Sequence, residues 1–491
     1  MSSRNILRGL IVANLILITF YLATVNHRYI NIDEAVIGEQ AYWLQEIGFV
    51  KSNLLSGLDL KWENRVYHYH KLLVVTGAVV TKLFGFSLNS LRLIVSLFSF
   101  LFFLVLWKFI VIEKEVEDGK KTFLIILFLF LANTLFFSFS YLFRPEVMVM
   151  TLGFISYYFL SKYIKNNNKK ELIYSGIFSG LAALTHLNGL IFIIAGFLLL
   201  VLNKYYIQSF VFGIIGSFIL IFYFFDLLTP ELFQGFLFQF TNDPNLDKSD
   251  FSVFAPFVKI LSEHLRFFHG AEESVFSLFF IVVLILNLRF LISNYKNLLI
   301  YTLLTIVLLA SIAHGSTSKY ALLYFPYMFI IIGIGVSRID ELSRFSRWVV
   351  LLFMMNYAGF HLYSIISNKI NNDIDYDKRN ALINELTDNS AVPIIADESY
   401  VFNELDNGKT IHSLLLISYL KEYELGMPLD QLIFDDYALR NNNKFVLIDK
   451  LTESSELISS IGFDNLQLGD TVYQYVVRNK VDDMMLFESL K

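Results

Sequence analysis

The sequence predicts an all-α polytopic membrane protein that carries a small α/β domain at its C-terminal end. Of its 491 residues, 55% are hydrophobic and only 17% are charged, whereas soluble globular chains carry about 25% charged residues. The mean hydropathy is +0.56. Apolar segments close to the roughly 20 residues that a bilayer-spanning helix needs recur up to about residue 366, after which Asp, Asn and Glu become frequent.

The composition also excludes several classes of protein. The chain has 0 Cys, which rules out disulfide scaffolds, Cys-ligated metal centres and thiol nucleophiles. A net charge of -5 gives no basic surface on which nucleic acid would bind. The partner that the composition does require is the lipid bilayer.

We expect eleven membrane spans, the first an uncleaved anchor because Arg4 and Arg8 precede it and no cleavage site of small residues follows it. The segment 72–84 is too short to span and is predicted to be an interfacial helix. The spans are predicted at about 6–25, 88–112, 122–140, 147–163, 171–186, 187–203, 207–228, 275–292, 298–313, 320–338 and 347–366.

Alternate loops between these spans are rich in Lys, which predicts the orientation of the chain. Lys120 and Lys121 follow the second span, and Lys169 and Lys170 follow the fourth. The N-terminus is therefore expected in the cytoplasm, in a bacterial inner membrane. The transmembrane domain, 1–366, then has extracytoplasmic loops at 26–87 and 229–274. An extracytoplasmic α/β domain follows at 367–491, with strands expected at 391–396, 445–448 and 471–477 and helices near 378–388 and 411–423.

Asp33 and Glu34 begin the first outer loop, directly after the first span. Acidic residues beside a membrane end cost desolvation energy unless they have a partner or a task. One interpretation is structural, with Asp33 as the N-cap of a helix and Glu34 in its first turn. The other is functional, with a carboxylate that accepts a hydroxyl proton or binds a cation.

His68 and His70 lie two residues apart near the end of the same loop. On a strand they would share one face and could bind a divalent metal ion together with Asp33 or Glu34. The alternative is an aromatic and histidine cluster that anchors the chain at the headgroup level.

Further polar residues collect on the outer side of the predicted bundle. Arg144 is a cation where the positive-inside tendency disfavours one, so it is expected to pair with an acid or to bind phosphate. Pro145 and Glu146 suit the first turn of the next helix. His186 lies in the tight hairpin between the fifth and sixth spans, where a histidine most often only satisfies the hydrogen bonds of the turn. The remaining candidates for substrate binding are His186, Arg266, Lys319 and Tyr320.

These motifs, taken in order, resemble the GT-C membrane glycosyltransferases, in the branch that contains protein O-mannosyltransferases and the aminoarabinose transferase of lipid A. The resemblance covers roughly residues 1–370 and lies in the order and sidedness of short motifs. These are Asp33-Glu34-Ala35, Lys82-Leu83-Phe84-Gly85, Leu91-Arg92-Leu93, Arg144-Pro145-Glu146, Gly180 to His186, and Lys319-Tyr320 with Pro326. The sequence departs from the family pattern in two places. Family members often have a Lys-Pro-Pro-like sequence before the interfacial helix, whereas this chain reads His70-Lys71-Leu72 without a proline, and position 146 is Glu rather than the commoner Asp.

The resemblance implies an inverting transferase that moves a sugar from a polyprenyl phosphate to a hydroxyl of an acceptor glycan, lipid or protein. Asp33 is the implied general base, and Glu34 and Glu146 are implied to position the acceptor, tune Asp33 or hold a divalent cation. The groups implied to neutralise the donor phosphate are Arg144 and Lys319, with Arg266 as a further candidate. The resemblance implies no specific cofactor, and a divalent cation is an alternative. The alternatives are a transporter or flippase of lipid-linked saccharides and a non-catalytic scaffold.

Overall fold

The computed structural model describes residues 3–25, 28–57, 60–113, 115–116, 118–242, 254–313, 317–371, 375–387, 391–406, 408–414, 428–450, 455–481 and 483–490. Part of the predicted 229–274 loop, 243–253, therefore lies outside the described residues. Most of the predicted 411–423 helix, 415–423, lies outside them as well.

Helices make up the first three quarters of the chain. They are α1 (Ser3–Thr24), α2 (Ile32–Ile47), α3 (Lys71–Phe84), α4 (Leu88–Trp107), α5 (Gly119–Leu131), α6 (Thr134–Phe139), α7 (Pro145–Asn166), α8 (Lys169–Thr185), α9 (Leu190–Leu202), α10 (Tyr206–Ile221), α11 (Pro230–Thr241), α12 (Ala255–Ser262), α13 (His264–Phe267), α14 (Ala271–Asn294), α15 (Lys296–Ile312), α16 (Phe325–Ser337), α17 (Arg344–Asn371) and α18 (Tyr376–Leu386). A π-helical turn, Lys108–Ile112, extends α4, and a 3-10 helix, Ser318–Leu323, precedes α16.

The protein is an integral multi-pass membrane protein. Among the described residues, six helical segments are long and apolar enough to cross a bilayer: Leu7–Thr24, Leu88–Ile112, Pro145–Asn166, Tyr206–Phe224, Ala271–Asn294 and Arg344–Asn368. The other predicted spans are helical too, but α9, α15 and α16 are shorter apolar helices. The predicted interfacial helix is present as α3, which has 14 residues.

The predicted span at 122–140 is not one helix but two. The break falls at Ala132 and Asn133, where the Asn133 side chain accepts a hydrogen bond from the Phe136 backbone N–H and so caps α6. Asparagine is a favoured N-cap because its side-chain oxygen replaces the missing intrahelical acceptor. An apolar run gives no sign of such a break unless the single Asn is recognised as a cap.

The predicted loop 26–87 is largely helical and packs on the bundle. Asn31 caps α2 by accepting from the Asp33 backbone N–H, and Gly48 ends it with a φ of 76°. Gly77 of α3 lies so close to Ala41 of α2 and to Phe143 that a Cβ there would overlap both. The small residue therefore lets α3 press α2 against the segment before α7.

The C-terminal part of the chain forms one six-stranded sheet. Its strands are β1 (Ile394–Ala396), β2 (Ile411–Ser413), β3 (Phe445–Asp449), β4 (Thr471–Val472), β5 (Tyr475–Val481) and β6 (Met484–Ser489). Their order in the sheet is β2-β1-β3-β6-β5-β4. The strands β1, β2 and β3 are parallel, and the pairs β3–β6, β6–β5 and β5–β4 are antiparallel. Short helical segments lie between the first four strands and include Val401–Glu404, Leu429–Gln431, Ala438–Arg440 and Ser455–Ser460.

Two predictions for this region are wrong in detail. The run 471–477 is not one strand, because Tyr473 adopts a φ of 52° and turns the chain into the β4–β5 hairpin. Residues 411–413 form a strand rather than the start of a helix. The strand predicted at 445–448 and the helix near 378–388 are confirmed, the latter as α18.

The sheet is tied to the membrane helices by a shared core. Ile394 and Leu447 belong to the same apolar cluster as the bundle, whereas Ile395 and Val446, which point the other way on alternate positions, belong to a second cluster. Phe402 stacks on Phe86 at 6.0 Å and fills the space that Gly38 of α2 leaves open. The C-terminal domain thus braces α2, the helix that begins with the predicted catalytic acids.

Candidate active site

The first turn of α2 separates its two acids. The Asp33 side chain is 46% exposed, while Glu34 is fully buried. Successive helical residues point about 100° apart, so one carboxylate can face an opening while its neighbour faces the core. The predicted N-cap was wrong by two residues, because Asn31 and not Asp33 is the N-cap.

Arg144 joins the start of α7 to the start of α2. Its Nε and Nη2 donate to Glu146 at 3.2 and 2.9 Å, and its Nη1 donates to Asn31 Oδ1 at 3.0 Å and to Asp33 Oδ2. Burial alone would lower the pKa of Arg144, but Glu146 and Asp33 outweigh it and raise that pKa. The Arg144 side chain is 6% exposed, so it fixes the Asp33 carboxylate from the buried side of the site.

A second cation lies on the open side of Asp33. Lys319 Nζ is 3.7 Å from Asp33 Oδ2, and the Lys319 side chain is 27% exposed. All described contacts to the Asp33 carboxylate are made through Oδ2, which leaves Oδ1 for a substrate. The site therefore presents an accessible carboxylate oxygen beside an accessible ammonium group.

Glu34 forms a buried bidentate ion pair with Arg92 of α4. Arg92 Nε and Nη2 donate to the two Glu34 oxygens at 2.9 and 2.8 Å, and Oε1 also accepts from the Phe143 backbone N–H at 2.9 Å. Arg92 appeared in the sequence only as part of a motif, not as a site residue. The available signal was an arginine in the second turn of an apolar helix, a position that is costly without a partner.

His186 sits where α8 turns into α9 and is satisfied there, because its Nδ1 accepts from the Asn188 backbone N–H at 2.9 Å. Its ring stacks on His70 at 4.8 Å and meets Tyr320 edge-on at 5.6 Å. Burial lowers the pKa of His186 to about 4, and burial also lowers the pKa of His70. Both rings are therefore neutral at physiological pH and form an uncharged wall of the site.

The two histidines predicted as metal ligands do not converge. They lie in a loop rather than on a strand, and His68 instead packs edge-on against Phe236 and Phe240. Among the described residues, no group of three or more His, Asp and Glu side chains is arranged to hold a metal ion. Glu34 is bound by Arg92 through both carboxylate oxygens, so it is not available to a cation in this structure.

Arg266 lies behind Tyr320 rather than in the opening. It is 1% exposed and pairs with Glu263 at 3.2 Å, and its guanidinium carbon is 5.9 Å from the centre of the Tyr320 ring. Burial raises the pKa of Glu263 to about 7. This pair supports the wall that carries Tyr320.

A further buried group escaped the sequence analysis. Lys71, the first residue of α3, binds Asp226 at 2.7 Å, and the Tyr69 hydroxyl donates to the same carboxylate at 2.9 Å. Burial lowers the pKa of Lys71 to about 8. Asp226 lies near the end of the predicted span 207–228, and a single Asp in such an apolar run is the signal that indicates a buried partner.

Comparisons with known proteins agree with this architecture. The family model described as dolichyl-phosphate-mannose-protein mannosyltransferase matches residues 75–228, from α3 to the loop after α10. No curated protein sequence matches the chain.

Two solved structures align with nearly the whole chain. ArnT from Cupriavidus metallidurans bound to undecaprenyl phosphate aligns over 99% of this chain and 98% of that chain, with a TM-score of 0.59 and 12% identity. The oligosaccharyltransferase AglB from Archaeoglobus fulgidus, in complex with an inhibitory peptide and a dolichol-phosphate, aligns over 93% and 70%, with a TM-score of 0.52 and 12% identity. The resemblance to GT-C membrane glycosyltransferases of the protein O-mannosyltransferase and ArnT-like type is thereby confirmed.

Replacing Glu34 by Gln is expected to lower the stability of the whole protein by about 3–5 kcal/mol, because it leaves the Arg92 charge buried without a counter-charge. Thermal unfolding in detergent micelles measures this. Glu46→Gln, an exposed substitution on the same helix, is the control and should change stability by about 0.5 kcal/mol or less. Equal melting temperatures for E34Q and E46Q would contradict the assigned role of the pair.

The neutral histidine wall predicts loss of stability in acid. The unfolded His186 binds a proton below its ordinary pKa of 6.5, whereas the folded side chain binds one only below about 4. Stability is therefore complete above 6.5 and falls between those two values, by at most about 3 kcal/mol. The pH dependence of the melting temperature should be flatter in His186→Asn and unchanged in His264→Asn, which alters an exposed ring. A wild-type acid slope in H186N would refute this assignment.

Proposed function

We propose that the protein is an inverting glycosyltransferase that moves a sugar from a polyprenyl phosphate to an acceptor hydroxyl. The observation that carries the proposal is the pairing of an accessible carboxylate, Asp33, with an accessible cation, Lys319, at 3.7 Å on a GT-C fold. The ArnT and AglB structures contain polyprenyl phosphates, which supports the same class of donor here.

Asp33 is the proposed general base. Its Oδ1 would accept the proton of the acceptor hydroxyl while that oxygen attacks the anomeric carbon and the phosphate leaves from the opposite face. Arg144 fixes the carboxylate through Oδ2, so the base does not have to be ordered when the substrate arrives. A single displacement of this kind inverts the anomeric centre and forms no glycosyl-enzyme intermediate.

Lys319 is the proposed partner of the donor phosphate. Negative charge grows on the phosphate as the sugar leaves, and a fixed ammonium group stabilises that charge more in the transition state than in the ground state. Arg144 is too fully engaged with Glu146, Asn31 and Asp33 to bind phosphate as first predicted, so we assign it a positioning role. Glu34 and Glu146 position the two arginines and do not touch the substrate in this scheme.

The acceptor, which is a glycan, lipid or protein, is proposed to enter from the extracytoplasmic side of a bacterial inner membrane. Eleven crossings with a cytoplasmic N-terminus would place α2, the start of α7 and the C-terminal domain on that side. A transporter or flippase would need charged groups at the middle of the membrane, whereas Asp33, Arg144 and Lys319 all lie at helix ends or in connections.

Replacing Asp33 by Asn should reduce sugar transfer by about 10²–10⁴-fold, the usual contribution of a general base. Transfer is measured with purified protein and a panel of polyprenyl-phosphate-linked sugars, and folding is checked by thermal unfolding. Glu46→Gln is the matched control on α2. Near-normal turnover by D33N on a donor that the wild type uses would remove Asp33 from this role.

The proposed topology is testable directly because the chain has 0 Cys. Single cysteines at the exposed Tyr473 of the sheet and the exposed Asn167 between α7 and α8 should differ in intact cells. An impermeant thiol reagent is expected to label position 473 and to reach position 167 only after the membrane is permeabilised. Labelling of both positions in intact cells, or of position 167 alone, would overturn the eleven-span arrangement.

A further inference from the structure

An apolar groove of about 570 Å³ lies between α1, α4 and α5, away from Asp33 and Lys319. Its walls are largely apolar side chains such as Ile18, Phe103 and Leu127. At its edges Leu22, Leu93 and Phe100 are 73%, 44% and 62% exposed. In a membrane helix such side chains face lipid, so the groove opens sideways into the bilayer.

One end of the groove is lined by Arg28, whose guanidinium is buried with 4% of the residue exposed. Its Nη1 donates to the Phe137 carbonyl at 3.1 Å, its Nη2 donates to the Tyr21 carbonyl at 3.1 Å, and its Nε donates to the Thr24 hydroxyl at 3.1 Å. Aromatic rings of Phe137 and Tyr141 lie 3.8 and 4.6 Å from its central carbon. Among the described residues, no carboxylate forms an ion pair with it.

Burying a cation without a counter-ion costs free energy. A second buried arginine nearby, Arg92, provides a comparison. Arg92 lines the same groove, but Glu34 neutralises it with two hydrogen bonds. Arg28 has only neutral acceptors and rings around it. An anionic group that entered the groove from the lipid phase would supply the missing charge.

The length of the groove indicates what kind of molecule would carry an anionic group to Arg28. Along α4 the lining runs from Asn89 to Phe103, which at 1.5 Å per residue is roughly 21 Å. This is the length of a phospholipid acyl chain rather than of a whole polyprenyl chain. Arg28 lies four residues beyond the end of α1 at Thr24. Because α1 is long and apolar enough to cross a bilayer, a cation just past its end is placed near the headgroup phosphates.

We propose that this groove binds an anionic glycerophospholipid, with its headgroup phosphate against Arg28 and one acyl chain between α1, α4 and α5. The lipid is distinct from the sugar donor, because the groove contains neither Asp33 nor Lys319. It also acts on the active site indirectly. The Arg28 carbonyl accepts from Arg92 Nη1 at 3.3 Å, so a lipid that orders Arg28 also steadies the Arg92–Glu34 pair at the start of α2.

The test uses the full-length protein, delipidated in detergent, with phosphatidylglycerol and phosphatidylcholine as probes and native mass spectrometry as the readout. Phosphatidylglycerol should bind in preference to phosphatidylcholine and should raise the melting temperature. Arg28→Gln should weaken phosphatidylglycerol binding by about 10–100-fold, as expected for a lost charge-assisted contact. Ser96→Phe, which fills the groove without removing a charge, should weaken binding of both lipids.

Arg8→Gln is the matched control, since it removes an exposed arginine from α1 and should leave binding unchanged. Wild-type phosphatidylglycerol binding by both R28Q and S96F would overturn the proposal. So would equal binding of the two phospholipids, or Arg28-dependent displacement of phosphatidylglycerol by undecaprenyl phosphate, which would make the groove a carrier site. None of these outcomes depends on sugar transfer, so the proposal can fail while the proposed function stands.

Discussion

The buried ion pair between Glu34 and Arg92 is the constraint on which the arrangement of the candidate site depends. It joins the start of α2 to the start of α4. Glu34 also accepts a hydrogen bond from the Phe143 backbone N–H, which fixes the segment that leads into α7. Because Glu34 is held inward, the helical rotation turns Asp33 outward, and the fixed backbone at Phe143 places Arg144 beside it. The buried ion pair thus determines that Asp33, rather than Glu34, is the carboxylate exposed at the surface of the site.

Much of the fold could be predicted from the sequence because hydrophobic burial is a local property of composition. Long apolar runs predicted the positions of most of the membrane helices, whereas the orientation indicated by the distribution of lysine stays a prediction. The Ala132–Asn133 break was not predicted, since one capping side chain decides it. Likewise β2 and the β4–β5 turn were missed. A three-residue strand is defined by its partners, and an unfavourable φ at Tyr473 leaves little trace in the sequence.

The candidate site was predicted in part. Sidedness alone indicated that Asp33, Arg144, Glu146 and Lys319 would meet, and the structure brings them into contact. Which of Asp33 and Glu34 is buried and which is exposed could not be predicted. The difference depends on the ion pair with Arg92, which lies 58 residues from Glu34 in the sequence. The strand geometry assumed for His68 and His70 was wrong, since both lie in a loop. Their neighbours, Phe236 and His186, come from segments far along the chain.

The apolar cluster that runs from the membrane helices into one face of the sheet has a consequence for how the molecule comes apart. Residues such as Ile394 and Leu447 share their core with the helices, and Phe402 occupies the notch at Gly38. The C-terminal region is therefore not a detachable module. Because this face of the sheet packs on α2, a truncation that removes it would uncover apolar surface on the helix that carries Asp33.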